Sequence, residues 1–200
     1  ARFVELNLFE DSTYTAVFDR TETNSLGSYA WIGHLKGVKH GQAVLVMTHG
    51  LLAGNISMPG ATFEVRPISS GLHAIEQTNQ QDYPPEMEPI PAGGPARAMA
   101  SPSQVLADEC DEITVLVAYS PEARNADGGI PNILTRVALA VAETNQSYVN
   151  SGLTQRINLV HSMETSAGDA QNDFSDDLYA LQDLSDGVFD DVDAARETHD

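Results

Sequence analysis

Apolar and polar residues alternate along the first 78 residues of the chain. The first run places Val4, Leu6 and Leu8 between Glu5 and Asn7. Further apolar runs follow at 14–18, 29–31, 43–47, 52–58, 63–65 and 72–75, and turn-forming residues separate them. Alternation with a period of two, broken by turns, is typical of strands. The spacing predicts an antiparallel meander, either a sandwich or a partly closed barrel.

The composition changes between residue 79 and about residue 111. This segment includes QQDYPPEMEPIPAGGPARAMASPSQ, with six prolines and two adjacent glycines. Such a composition does not build a core and predicts an extended, exposed linker. Arg97 is the candidate processing site within it, and an uncleaved interdomain linker is the alternative.

A strand, a helix and a second strand are predicted between residues 113 and 160. The run 113–119 is short, apolar and rich in β-branched residues, which is typical of a strand buried on both faces. Pro131 suits the first turn of the helix, and Gly152 suits a left-handed cap at its end. Apolar residues recur between them at helical spacing, at Ile133, Val137, Ala140, Val141, Tyr148 and Val149. With a strand at 157–160 this is a βαβ unit.

Toward the end of the chain, apolar residues recur at intervals of three or four. They are Leu178, Leu181, Leu184, Val188, Val192 and Ala195. This spacing predicts one helix, or two helices bent at residues 186–187. The fold class is therefore α+β: a β-rich domain over 1–78, a linker over 79–111, and a small α/β unit over 112–200 with the order strand-helix-strand-helix.

Acidic residues are in large excess, with 29 against 10 basic residues and a net charge of −19. Such a surface repels nucleic acid and anionic membranes, so neither is an expected partner. The chain has no apolar run of about 18 residues, so no membrane-spanning helix is expected. The charge favours an extracellular or salty setting, although solubility alone also accounts for it.

Two short polar patterns give weak indications of a calcium site and of a glycosylation site. The stretch Asp169, Asn172, Asp173, Asp176 and Asp177 has oxygen ligands that calcium takes, but it lacks the glycine and final glutamate of an EF-hand loop. A solvated loop is favoured, with Ser175 or Asp173 as the cap of the next helix. The glycosylation sequon at Asn145 falls within the predicted helix, which is a poor acceptor site.

No histidine has a partner at metal-binding spacing. The six are His34, His40, His49, His73, His161 and His199. Zinc needs three or four converging ligands, and none of these histidines has the i, i+4 spacing of a zinc-protease helix. Histidines in turns or on strand surfaces are the favoured interpretation. The sequence therefore predicts no catalytic residue and no metal ligand within this chain.

Several segments together resemble bacterial reprolysin-like zinc metallopeptidases, the group that includes peptidyl-Asp metalloendopeptidases. TVLVAYSPEAR and AVAETNQSYVNSG are similar to the opening of the catalytic domain. The segments FVELNLFEDSTYTAVFDR, SYAWIGHLKGV, GLLAGNISMPGATFEVRPI and GLHAIEQ are similar to the propeptide region of the same secreted precursors. The resemblance covers nearly the whole chain and consists of many weak matches in the right order.

The resemblance implies a precursor fragment, namely an inhibitory and chaperoning propeptide followed by the first part of a metzincin-like catalytic domain. The family motif His-Glu-x-x-His-x-x-Gly-x-x-His is absent, and we expect it beyond Asp200. The parent would then be a secreted or periplasmic zinc metalloendopeptidase acting on proteins or peptides. The 200-residue chain would be inactive and would hold no zinc. The alternative is a secreted acidic β-domain that binds or adheres without enzymatic activity.

Cys110 is the one cysteine, so it forms no disulfide within the chain. Some zinc-protease propeptides use a cysteine thiolate to block the metal, but Cys110 lies close before the predicted strand, where such a reach is awkward. A disulfide with a cysteine beyond Asp200 is favoured in an oxidising compartment. A free thiol is the third interpretation.

The linker predicts where proteases cut first. Its proline, glycine and small polar residues leave the backbone between residues 80 and 108 exposed. Limited trypsin digestion followed by mass spectrometry should show the first cut after Arg97. A first cut within residues 115–160 would mean that the domain assignment is wrong.

Overall fold

Seven antiparallel strands form one curled sheet in the first part of the chain. The computed structural model describes residues 2–24, 27–79, 81, 112–166, 174–183 and 186–199. The strands are β1 (Phe3–Phe9), β2 (Ser12–Thr23), β3 (Tyr29–Leu35), β4 (Gln42–Thr48), β5 (Leu51–Met58), β6 (Ala61–Ser69) and β7 (Leu72–Thr78). Each pairs with the next along the chain, which confirms the predicted meander. The sheet curls into a half-barrel, so the sandwich alternative is wrong.

The second part of the chain contains the predicted βαβ unit and two short helices. Its elements are β8 (Glu112–Tyr119), α1 (Pro121–Ala126), α2 (Ile130–Asn150), β9 (Arg156–Glu164), α3 (Phe174–Gln182) and α4 (Asp190–His199). Strands β8 and β9 pair in parallel as a separate two-stranded sheet. Together with the seven-stranded sheet, these elements give the predicted α+β class.

Helix α2 begins and ends where the sequence indicates. Pro131 occupies its first turn, where the missing N–H is not needed. At its end Gly152 has a φ of 71°, which a glycine adopts without strain. The Gly152 N–H donates to the Val149 carbonyl at 3.0 Å and the Leu153 N–H donates to the Tyr148 carbonyl at 2.9 Å. These two bonds satisfy carbonyls that the helix end would otherwise leave free.

The shorter helices agree with the predictions only in part. The short helix α1 was not predicted, although Ser120 caps it by accepting from the Ala123 N–H at 3.1 Å and Pro121 follows the cap. Of the two alternatives predicted for the end of the chain, the structure has two helices: α3 ends at Gln182, α4 begins at Asp190, and Gly187 between them has a φ of 84°. Ser175 is the second residue of α3, and the alternative cap, Asp173, lies outside the described residues.

The curl of the seven-stranded sheet encloses its own core. One apolar cluster fills the inside of the curl: Leu6, Leu8, Ala16, Trp31, Leu35, Ala43, Ile56, Phe63 and Val65. These side chains come from one face of successive strands, as the alternation predicts. The inside of the half-barrel is therefore filled by residues of the sheet alone.

Helix α2 packs against the outer face of the same sheet. Its residues Ala138, Leu139 and Ala142 share a buried cluster with Ala30, Ile32, Val44, Val46 and Ala53 of β3–β5. Its residues Val137 and Val141 pack in the opposite direction, against Leu159 of β9. Five of the six consecutive apolar residues in VALAVA supply both surfaces, and the sixth, Ala140, is exposed. None of the described helices is long and apolar enough to cross a membrane.

Strand β8 is not buried on both faces, so that prediction is wrong. Ile113 is 43% exposed, and the residues from Val115 to Tyr119 are only partly buried. Within the described part of the chain β8 pairs with β9 alone, and α2 covers one face of the pair. Continuous apolar sequence gives full burial only where strands or helices lie on every side.

The packing of α2 predicts that the same substitution, alanine to aspartate, has very different effects on stability at two positions of the helix. Ala138 is 5% exposed against the sheet, whereas Ala140 lies on the exposed side of the same helix. Ala138→Asp should lower the free energy of unfolding by about 3 kcal/mol or more, because it buries an unpaired charge. Ala140→Asp should cost only about 0.7 kcal/mol, the difference in helix propensity.

Urea unfolding of both variants and of the unsubstituted chain measures this contrast. Equal losses for the two substitutions would show that α2 does not pack on the sheet as described.

Candidate functional site

Two predicted site residues, Cys110 and Arg97, lie outside the described residues. The same holds for Asp169, Asn172 and Asp173 of the acidic stretch. The other members of that stretch, Asp176 and Asp177, lie in the first turn of α3. The cysteine, processing and calcium assignments therefore stay predictions.

The histidines of the seven-stranded sheet lie at turns and on strand surfaces. His34 Nδ1 lies 2.7 Å from Asp19 Oδ1, an ion pair at the surface that the sequence did not indicate. His40 and His49 lie in turns with φ values of 61° and 52°. His73 is exposed on the edge strand β7. These positions agree with the interpretation of solvated histidines.

The two remaining histidines contact each other. The rings of His161 on β9 and His199 on α4 are stacked, with centroids 4.2 Å apart and planes 13° apart. This contact helps to place α4 beside the two-stranded sheet. Sequence could not reveal it, because 38 residues separate the pair and neither lies in a recognisable pattern.

The carboxyl ends of β8 and β9 bring three polar side chains together. Arg124 Nε lies 3.3 Å from Glu164 Oε2, and Tyr119 lies beside this pair. Burial raises the pKa of the Tyr119 hydroxyl, the Glu164 carboxylate raises it further, and Arg124 opposes them. This edge is where parallel sheets usually hold ligands, but here the ion pair between Arg124 and Glu164 occupies it.

Helix α2 packs on β3–β6, and we call this surface the sheet–helix contact. Its centre is apolar, with Ala138, Leu139 and Ala142 packed on the sheet. Hydrogen bonds and ion pairs surround that centre. This contact is the candidate functional site, because it joins the two parts of the chain that the sequence distinguishes.

Asn132 fixes the start of α2 to the sheet. Its Nδ2 donates to the Pro67 carbonyl at 3.0 Å and to the Asp127 carbonyl at 2.8 Å, and the residue is 9% exposed. Pro67 lies next to the shift in register between β6 and β7. One side chain therefore ties the irregular end of β6 to the loop before α2.

Amide side chains fix the other end of α2. Asn150 Nδ2 donates to Gln42 Oε1 on β4 at 2.9 Å. Gln146 Nε2 donates to Asn150 Oδ1 at 2.7 Å and holds that amide in place. The helix is thus bonded to the sheet near both of its ends.

Arg136 carries the charge at the β6 side of the contact. Its Nη2 lies 3.3 Å from Glu64 Oε1 and its Nε lies 3.3 Å from Asp127 Oδ2. A groove of about 210 Å³ runs along this side and is lined in part by Arg66 and Asn132. Exposed ion pairs of this kind contribute little stability on their own, so they orient the contact more than they hold it.

Glu143 has an altered proton affinity in this contact. Burial and, to a smaller degree, the nearby Glu64 carboxylate together raise the pKa of its carboxyl from 4.5 to about 7. Both causes disfavour the charged form of a carboxyl. Sequence reasoning missed Glu143, because nothing local distinguishes it from a solvated glutamate on a helix.

On its opposite side α2 is bonded to β9 through Asn145. Its Nδ2 donates to the Ile157 carbonyl at 3.0 Å, and the Ile157 N–H donates to its Oδ1 at 2.8 Å. The amide therefore satisfies both polar groups of one strand residue, as a neighbouring strand would. Asn145 is 7% exposed, which agrees with its being a poor glycosylation acceptor.

Comparison with known proteins gives three relatives, each named peptidyl-Asp metalloendopeptidase. The one from Xanthomonas campestris pv. campestris is 29% identical over 99% of this chain. Two from strains of Stenotrophomonas maltophilia are 27% and 29% identical over 90% and 78% of this chain. The resemblance to peptidyl-Asp metalloendopeptidases is confirmed. The chain spans 51%, 47% and 37% of the length of these relatives.

No family model and no solved structure matches the chain. The name of the metalloendopeptidase relatives implies a metal in those proteins. In the described part of this chain, no three His, Cys, Asp or Glu side chains lie where they could hold a metal ion together. The described residues therefore do not fit a metal centre, and we assign no catalytic step to them.

The hydrogen bonds between Asn145 and β9 predict that removing the Asn145 amide lowers the stability of the chain. Asn145→Ala should lower the free energy of unfolding by about 1–3 kcal/mol, because both polar groups of Ile157 lose a partner. Ser147→Ala is the matched control, since it also removes the sequon but changes an exposed residue. The midpoints of thermal unfolding of the two variants are compared, and that of Asn145→Ala should be the lower. Similar midpoints would show that the Asn145 bonds contribute nothing.

Proposed function

We propose that this chain is the propeptide-like part and the start of the catalytic domain of a secreted zinc metalloendopeptidase precursor. The match to peptidyl-Asp metalloendopeptidases over 99% of the chain and 51% of the relative carries the proposal. Protein or peptide substrates and the zinc site would belong to the whole precursor. The zinc motif is absent from this sequence, so the catalytic machinery lies outside it.

In this proposal the seven-stranded sheet acts as a chaperone for the βαβ unit. The supporting observation is that α2 buries Ala138, Leu139 and Ala142 against the sheet and not against its own βαβ unit. Without the sheet these side chains would face water during folding, and exposed apolar surface promotes association. The sheet would keep α2 covered until the rest of the catalytic domain has folded.

Inhibition is the second role we propose for the sheet. The polar groups at both ends of α2, Asn132 and Asn150, are bonded to the sheet and fix its position on the catalytic part. A sheet held in this way would limit access to a cleft built from later residues of the precursor. Cleavage between residues 79 and 111 would then allow the sheet to leave.

The test compares the longer precursor with the 200-residue chain. The intact precursor should be latent toward casein, and cleavage between residues 79 and 111 should release activity that a chelator abolishes. The 200-residue chain, treated in the same way, should show no casein hydrolysis and no bound zinc by elemental analysis after dialysis.

Stoichiometric zinc and chelator-sensitive hydrolysis in the 200-residue chain would contradict the proposed division. A precursor that is fully active before cleavage would contradict the inhibitory role of the sheet.

A further inference from the structure

One stripe of α2 faces the sheet at intervals of seven residues and contains Arg136, Glu143 and Asn150. Residues seven apart lie on the same side of a helix, about 10.5 Å from one another along its axis. Arg136 contacts Glu64 on β6, and Asn150 is bonded to Gln42 on β4. Glu143 lies midway between them along the helix and is partly buried.

Glu143 differs from its two neighbours in having no partner among the described residues. It is partly buried, so water solvates its carboxylate less well than at the surface. Its carboxyl lies close enough to Glu64 for the two charges to repel each other. A protonated Glu143 avoids both penalties, because a neutral carboxyl has a much smaller desolvation cost.

Among the described residues near Glu143, the arginines already pair with other carboxylates. Arg136 is shared between Glu64 and Asp127, and Arg66 pairs with Glu76 at 2.6 Å. Strands β4 and β5, which lie beneath α2, contain no titratable side chain. Strand β3, which also packs on α2, carries His34, which contacts Asp19, and the exposed Tyr29. On the side of α2 that faces β9, the charged groups are engaged elsewhere: Arg156 donates to carbonyls of residues 153–155, and Glu164 pairs with Arg124.

We propose that the sheet–helix contact is a pH-sensitive release contact, which loosens when Glu143 loses its proton beside Glu64. The charged carboxylate would be both desolvated and repelled while α2 stays on the sheet. Movement of the sheet away from α2 would hydrate Glu143 and separate it from Glu64. Where the proposed function holds, this step would favour departure of the propeptide-like sheet at neutral pH.

The direction of the effect follows from the proton affinity. The closed chain holds the Glu143 proton more tightly than the open one, with a pKa near 7 against 4.5. Stabilisation by the neutral carboxyl is therefore complete below about pH 4.5, is lost as the pH rises toward 7, and changes no further above it. The opening equilibrium should increase by at most on the order of a hundredfold across this window.

Hydrogen exchange of the full 200-residue chain tests the proposal. Glu143→Gln keeps the size of the side chain and cannot ionise, so it imitates the protonated state. At pH 8 the amides of α2, β4 and β5 should exchange faster in the unsubstituted chain than in Glu143→Gln. At pH 5 the difference should shrink markedly, and comparison at equal pH cancels the intrinsic effect of pH on exchange.

Two further variants sharpen the result. Glu10→Gln changes an exposed glutamate in the β1–β2 turn and should exchange like the unsubstituted chain at both pH values. Glu64→Gln removes the like charge beside Glu143. The increase in exchange between pH 5 and pH 8 should therefore be smaller in this variant than in the unsubstituted chain, but should not vanish.

A difference between Glu143→Gln and the unsubstituted chain that is the same at pH 5 and pH 8 would overturn the proposal. Equal exchange rates in the two chains at both pH values would also overturn it. So would an equal change of exchange rate in the β1–β2 hairpin, because that would indicate global unfolding. None of these readouts requires peptidase activity. The pH effect can therefore fail while the precursor proposal stands, and it can hold in a chain that is not a protease precursor.

Discussion

The structure depends on the burial of both sides of α2. The VALAVA segment presents Ala138, Leu139 and Ala142 to the seven-stranded sheet and Val137 and Val141 to β9. A pair of parallel strands has too little apolar contact to be stable alone, so β8 and β9 depend on this helix. The outer face of the half-barrel depends on it equally, because β3 and β4 are apolar on both faces. Removing α2 would leave two uncovered surfaces.

Sequence predicted the elements well where local pattern decides them. The seven strands, the start of α2 at a proline and its end before Gly152 all follow from alternation, helical spacing and cap chemistry. The same reasoning failed where burial depends on neighbours. The apolar runs of β4 and β8 look alike, yet β4 is largely buried and β8 is not, because β4 has two partner strands and α2 above it.

The candidate site was not predictable for a different reason. Its hydrogen bonds join residues far apart in sequence: 65 residues separate Asn132 from Pro67, and 108 separate Asn150 from Gln42. An asparagine in a helix is an unfavourable residue locally, and that cost is the one signal that could have marked Asn132 and Asn145 as bonded elsewhere. Glu143 gives no such signal, since glutamate is an ordinary helix residue. Its proton affinity is a property of the packed contact alone.

The make-up of the sheet–helix contact bears on how the two parts could separate. Its apolar centre does not respond to pH, and exposing it to water would cost about 25 cal/mol for each Å² uncovered. One charged carboxylate can weaken this contact but cannot by itself overcome a centre built from eight buried side chains. Separation therefore requires that something else cover α2 afterwards. In the proposed precursor, the part beyond this chain would supply such a cover, since the chain spans only 51%, 47% and 37% of its relatives. A contact that is apolar at its centre and pH-dependent at its edge would then keep the sheet in place until that cover has folded.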